Sequence, residues 1–221
     1  MRLTRFRAKL RATLDRRSIN AFIAHLPRGA RVLDVGCGNH SPTRFLTLNP
    51  SLRYIGIDIA EYNLDANDHK AAEELCICEP KDFARRIKEF GPTFDAVVSS
   101  HNLEHTDAPM DVVDAMCACL NGDGKLYLSF PAEESILFPK RKGCLNFYDD
   151  PTHRYLPNVE HVRSAIERSG CSVMSEIRRH RPIALFLLGA VLEPWSILLQ
   201  RSLPGTWAFW GFETILIAQR R

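Results

Sequence analysis

The stretch Arg31-Val32-Leu33-Asp34-Val35-Gly36-Cys37-Gly38-Asn39 decides the architecture. Its first five residues form a short apolar run, bounded by Gly29 and Gly36, that reads as a buried strand. Two glycines follow, so the backbone can turn tightly and approach a ligand with no side chain in the way. Ser41-Pro42 then supply a helix start, a capping residue followed by proline at the first helical position. Strand, glycine turn and helix follow one another within a dozen residues.

Outward from this stretch the same alternation continues. Tyr54 to Ile59 reads as a second strand, Leu75 to Cys78 as a weak third, Phe94 to Ser99 as a fourth and Lys125 to Phe130 as a fifth. Cys171 to Ile177 and Phe212 to Ala218 are the last two. Helices are expected over Lys81–Phe90, closed by Gly91-Pro92, over Asp107–Leu120, stopped by Gly122, and over Pro157–Ser169, stopped by Gly170. Alternation of this kind predicts an α/β fold, a mostly parallel seven-stranded sheet with helices on both faces and an antiparallel last strand.

Length and composition agree. The chain has 221 residues, of which 45% are hydrophobic and 25% charged. Such a chain buries a large core without disulfides, which excludes a disordered tail and a stapled miniprotein. The net charge is +3, too small to argue for nucleic acid. It is uneven, because residues 1–20 carry seven basic side chains against Asp15, or +6, leaving −3 on the remainder. That segment reads as a basic amphipathic helix ahead of a domain over 21–221. It has no apolar run long enough for a secretory signal, and Asp15 disfavours a transit peptide. The seven cysteines lack zinc spacing and read as reduced thiols of a cytoplasmic protein.

In such a sheet a ligand sits beyond the carboxyl ends of the strands. The glycine turn there lacks the third glycine of a dinucleotide fingerprint, since Ser41 holds that position, and Asp34 precedes the turn. Asp58, twenty residues after Gly38, ends the second strand, where a carboxylate can accept hydrogen bonds from both hydroxyls of a ribose. These features ask for an adenosine-containing ligand without a pyrophosphate.

Four motifs now carry a family resemblance. Val32-Leu33-Asp34-Val35-Gly36-Cys37-Gly38 resembles the first motif of class I S-adenosylmethionine-dependent methyltransferases, and Ile55-Gly56-Ile57-Asp58 their second. Phe94 to His105, ending Leu103-Glu104-His105, resembles the fourth-strand motif, and Leu120-Asn121-Gly122-Asp123-Gly124-Lys125-Leu126 the turn into the fifth strand. The resemblance spans roughly residues 20–178 and the last strand. It implies a Rossmann-like doubly wound sheet and S-adenosylmethionine as cofactor, with S-adenosylhomocysteine as product. It also implies that Gly36, Cys37 and Gly38 line the methionine moiety and that Asp34 holds its ammonium group. By the same resemblance Asp58 binds the ribose, Ile59 packs beside the adenine, and Ser100 and His101 close the methionine side. The Asp150, His153, Arg154, Tyr155 group after the fifth strand is similar to the branch acting on small molecules and cell-surface glycans.

Displacement at a sulfonium methyl mainly requires a positioned nucleophile and exclusion of water. A hydroxyl or ammonium acceptor must also lose a proton. His105 and His153 are the catalytic candidates, with Glu104 and Asp150 placed to orient them. His101-Asn102-Leu103-Glu104-His105 also spells the HxxEH of inverted zinc peptidases. Its first histidine falls in a loop directly after a strand, so no metal is expected.

Residues 180–211 depart from the family pattern. They hold the apolar run Ile183 to Leu192 and all three tryptophans, Trp195, Trp207 and Trp210. The run is too short to span a bilayer. It reads as a lid, a core helix or a dimer contact, or with the basic arm as a peripheral membrane contact. The expected function is methyl transfer to a small-molecule, glycan or lipid-linked acceptor. The alternatives are an inactive methyltransferase-like binding module and an NAD-type oxidoreductase. Nucleic acid is not expected as a partner, because the fourth-strand motif lacks the Asn/Asp-Pro-Pro-aromatic pattern that holds a base amine.

Overall fold

The computed structural model describes residues 12–221. Seven strands form one sheet: β1 (Arg31–Val35), β2 (Arg53–Asp58), β3 (Glu74–Ile77), β4 (Phe94–Ser100), β5 (Leu120–Pro131), β6 (Cys171–Ile177) and β7 (Glu213–Arg220). Their order across the sheet is β3-β2-β1-β4-β5-β7-β6. β1 to β5 pair in parallel, and β7 runs antiparallel between β5 and β6. The strand order reverses at β1 and β4, where a crevice opens beyond their carboxyl ends.

Among the described residues the helices are α1 (Ile19–Ala24), α2 (Ser41–Leu48), α3 (Ala66–Ala71), α4 (Phe83–Glu89), α5 (Pro109–Ala118), α6 (Val159–Arg168), α7 (Ile183–Leu198) and α8 (Thr206–Trp210). Side chains alternate across each strand and divide the core in two. Leu33, Val35, Ile55 and Ile57 pack with α4, α5 and α6 on one face. Val32, Tyr54, Ala96 and Val98 pack with Ile23 of α1 and Phe45 of α2 on the other. Asp34 shares the second face, which brings it under Tyr54.

Three boundaries differ from the sequence reading. The expected helix 107–120 is α5, which ends at Ala118. The carbonyl of Cys119 already accepts from Thr93 and Phe94, and Leu120 stands opposite Phe94 in the sheet. Gly122 therefore lies within the long arm of β5 and does not stop the helix. The apolar run 183–192 extends to Leu198 because Pro194 sits inside α7. Proline there forfeits one backbone bond without breaking the packing of its neighbours. Residues 1–11 of the expected basic helix lie outside the described residues. Residues 12–14 are helical, the chain turns after them, and Ser18 caps a new helix, α1.

The two regions outside the common plan touch each other. Asp15 is buried, and its two carboxylate oxygens lie 2.8 and 2.9 Å from Nε2 of His180. The insert is fixed by a buried pair: Arg141 makes bonds of 2.9 and 2.7 Å to Glu193 of α7 and one of 2.6 Å to Ser196. The Trp210 indole donates to the same Glu193 at 2.9 Å. α7 and α8 meet at Gly189 and Gly205, so closely that a Cβ on Gly189 would lie 2.2 Å from the Gly205 carbonyl oxygen.

Candidate active site

The loops after β1, β2, β4 and β5 converge beyond the carboxyl ends of the strands. The glycine turn after β1 is tied to the loop after β2. Gly36 N–H donates to the Ile57 carbonyl at 2.9 Å, Gly38 N–H to Oδ2 of Asp58 at 3.1 Å, and Asn39 N–H to the Tyr62 carbonyl at 2.9 Å. Gly36 has φ +85°, and a Cβ there would lie 2.8 Å from the Asn102 side chain. Both facts require glycine. At Gly38 a Cβ would meet the Tyr62 carbonyl oxygen at 2.9 Å. The Cys37 side chain goes the other way, fully buried with its sulfur under Gly56. The turn therefore presents backbone alone.

Asp34 is buried, accepts from the Tyr54 hydroxyl at 2.7 Å and is pushed up to about 7 by burial. Asp58 accepts from Ile59 N–H at 2.7 Å as well as from Gly38, and burial holds it above the ordinary carboxylate range. Ile59 is exposed beside it. Ser100 and Ser129 hydroxyls pair at 2.9 Å across β4 and β5. The Asn102 side chain packs beside Gly36 of the glycine turn, and its nitrogen is buried without a partner. A cradle that tolerates no Cβ, two carboxylates and an unpaired donor fit the amino-acid and ribose ends of S-adenosylmethionine.

His101 occupies different surroundings from those expected of it. Its φ is +53°. Its ring lies 11° from parallel to Phe212 and 5.0 Å from Trp207. Nδ1 lies 3.1 Å from Glu104 and Nε2 3.4 Å from Glu213, the latter an ion-pair contact without hydrogen-bond alignment. Burial disfavours its charge, but the two carboxylates outweigh burial and lift it to about 10. Glu213 is correspondingly held low by His101 against its own burial. His101 thus packs against β7 and the insert, and the side chain beside Gly36 is Asn102.

His105 and His153 come together, with ring centroids 4.8 Å apart. The loop carrying His153 is docked on the β4 motif, since Arg154 and Tyr155 N–H donate to the Glu104 carbonyl at 2.8 and 3.2 Å. Leu103–His105 is a single 3-10 turn. The two histidines of the HxxEH string therefore share no helix face, and the peptidase arrangement is absent. All seven cysteines are free thiols. Asn102, Tyr62 and Glu213 are the residues that sequence reasoning missed. Asn102 lay inside a quoted motif, whereas Tyr62 and Glu213 reach the site only through loop and strand placement.

This fold and this crevice are the ones shared by the class I S-adenosylmethionine-dependent methyltransferase family. The chain belongs to the methyltransferase domain family, whose model matches residues 4–176. It is 31% identical over 110 residues to the ubiquinone biosynthesis O-methyltransferase of Xanthomonas axonopodis pv. citri, covering 47% of this chain and 44% of that one. It is 27% identical over 116 residues to the tRNA (carboxymethyluridine(34)-5-O)-methyltransferase of Arabidopsis thaliana, covering 52% and 28%. Both matches span less than half of the relative's own length. A solved S-adenosylmethionine-dependent methyltransferase from Archaeoglobus fulgidus superposes with a TM-score of 0.56 at 17% identity, covering 96% of this chain and 94% of that one.

Proposed function

We propose that the chain transfers the methyl group of S-adenosylmethionine to a hydroxyl of a small apolar or lipid-linked acceptor at a membrane surface. The cofactor supplies an activated methyl on sulfur. The chain holds it with the glycine turn, Asp34 and Asp58, and presents the acceptor oxygen at His105 and His153, where the hydroxyl loses its proton. The oxygen pair then forms the new C–O bond as the S–CH3 bond breaks and leaves its electrons on sulfur.

The observation that carries the acceptor class is the outer face of α7. Ile183 is 78% and Leu198 79% exposed, and Leu187, Val191 and Trp195 lie open between them. A contiguous apolar face of this kind marks an interaction surface. The insert that carries this face reaches the loop after β4, because Trp207 of α8 contacts His101. No described helix is long and apolar enough to cross a membrane, so the face suits docking in the interface, with Trp195 at headgroup depth. Oxygen is chosen over nitrogen because an O-methyltransferase stands among the relatives.

Three measurements test this. Calorimetry should detect S-adenosylhomocysteine binding, and its absence would remove the methyltransferase reading. His153→Ala should lower methyl transfer to a phenolic or lipid-linked acceptor by about a hundredfold, within the range for acid–base groups. Undiminished transfer would take His153 out of the site. The parent should float with anionic vesicles at low salt, and Leu187→Glu with Leu198→Glu should abolish flotation. A protein that binds cofactor but turns over no acceptor would be a binding module.

A further inference from the structure

Three side chains at the acceptor end share an unused valence. Nδ1 of His153 lies 2.5 Å from the Phe147 carbonyl oxygen. A carbonyl can only accept, so Nδ1 carries the proton. Nδ1 of His105 meets the Thr152 carbonyl at 3.3 Å and the Thr152 hydroxyl oxygen at 3.0 Å. That hydroxyl donates its own hydrogen to Oδ1 of Asp150 at 2.6 Å. Nδ1 of His105 is therefore the donor as well. With Nδ1 as the donor in both rings, the available lone pair sits on Nε2. The third side chain is Glu104, which is fully buried. One of its oxygens is engaged by His101 at 3.1 Å, and the other, Oε2, is buried with no hydrogen-bond partner. A lone carboxylate oxygen in a protein interior calls for a cation. One ligand atom from each of Glu104, His105 and His153 lies within 4.8 Å of the others.

We propose that Glu104, His105 and His153 hold a divalent cation through a carboxylate oxygen and two imidazole Nε2 atoms, with its open positions turned to the acceptor oxygen. Histidines whose Nδ1–H is fixed by carbonyls are the usual form of a metal ligand, because the second bond sets tautomer and orientation. Two imidazoles with one carboxylate suit zinc, iron(II) or manganese(II), whereas magnesium and calcium take oxygen ligands. Three protein ligands leave room for substrate. The cluster of His40, Asp65 and Asp68 offers a contrast. There Asp68 Oδ1 is occupied by Thr43, and Oδ2 by His40 and the Asp65 N–H. No oxygen is left over, and that cluster is a capping network.

The assignment deepens the methyl-transfer reading and rests on it for the role of the cation. A hydroxyl bound to the cation through oxygen ionises near neutral pH and releases its proton to solvent. His105 and His153 then act as ligands and not as the proton acceptor. Glu104 is a ligand, and His101, bonded to its other oxygen, is a positioning residue.

The test uses full-length protein stripped with a chelator and dialysed. Zinc and manganese(II) are titrated by calorimetry, and S-adenosylhomocysteine binding to the metal-free protein is measured in parallel. One zinc or manganese(II) ion per chain is expected. Affinity should fall at least about tenfold in His105→Ala and in His153→Ala, stay unchanged in His40→Asn, and leave S-adenosylhomocysteine binding intact in the two alanine variants. No saturable cation binding in protein that binds S-adenosylhomocysteine would overturn the site. So would parent-like binding in His153→Ala, or loss of binding in His40→Asn. Cation binding without any S-adenosylhomocysteine binding would instead keep the site and overturn the methyl-transfer reading on which its role depends.

Discussion

Asp34 is the next-to-last residue of β1 and Asp58 the last residue of β2, yet burial gives them different tasks. Asp58 is held by two backbone N–H groups and keeps its carboxylate turned to the crevice. Replacing it with Ala should weaken S-adenosylhomocysteine binding tenfold to a hundredfold by calorimetry, about 1.5–3 kcal/mol for hydrogen bonds to a charged group. Asp34 is lifted from 3.8 to about 7 by burial, with the Tyr54 hydroxyl pulling the other way. Its folded value thus exceeds its unfolded value. The folded chain keeps a proton that the unfolded chain has released, and stability falls as pH rises from about 4 to about 7. Asp34→Asn should show a higher urea midpoint than the parent at pH 8, the two converging near pH 4. The ammonium group of a ligand requires the ionised form. S-adenosylhomocysteine affinity should therefore rise with pH up to about 7 and then level off, and Asp34→Asn should be flat. A parent that shows no such rise would remove the ammonium role.

At the scale of elements, the insert is a platform held at two points. Arg141 and Glu193 form a bidentate pair with side chains 3% and 10% exposed. Arg141→Ala leaves Glu193 buried and unpaired, and should cost about 3–5 kcal/mol in urea unfolding. A cost under 1 kcal/mol would mean that water reaches Glu193. Gly189→Ala places a methyl against the Gly205 backbone, where neither chain can give way. It should separate α7 from α8 and lower the thermal midpoint by several degrees, while the β1–β4 half keeps its cofactor affinity. α7 also shows why its boundary was illegible in the sequence. Glu193-Pro194 reads as a helix end, but the Arg141 and Trp210 contacts reward continuing the helix through it. Neither partner is a sequence neighbour.

For the whole molecule, the charge asymmetry acquires a place. The +6 segment 1–20 joins the body through Asp15, the one acid it contains, paired with His180 at the foot of the insert. The Tyr127 hydroxyl donates to the Arg17 carbonyl at 3.3 Å from the centre of the sheet. Asp15→Ala should speed trypsin cleavage after Arg16 and Arg17 and leave S-adenosylhomocysteine binding intact. Unchanged cleavage would show that the Tyr127 contact alone holds the segment. The same link fixes the described end of that segment, at Asp15, to the start of the insert that carries α7.

The strands and the glycine turn were legible because they depend on local pattern. Apolar runs bounded by glycine, and an acid at a strand end, keep their meaning wherever the chain goes. The sheet, the glycine turn, Asp34 and Asp58 were all readable on that ground. The acceptor end was not. His105 is read from one loop and His153 from another, and nothing local says that their rings meet, that both Nδ1 atoms are tied down, or that Glu104 Oε2 lacks a partner. Nor does sequence say that His101 turns to Glu213 while Asn102 takes the place beside Gly36, since a left-handed φ at one residue reverses which side chain faces the crevice. Sequence alone determined the family, the glycine turn and the acids at the ends of β1 and β2, because those rest on backbone turns and short spacings. Tertiary structure alone decided the cluster at the acceptor end and the exposed face of the insert, because a lone pair or an apolar surface is free only once every other neighbour is in place.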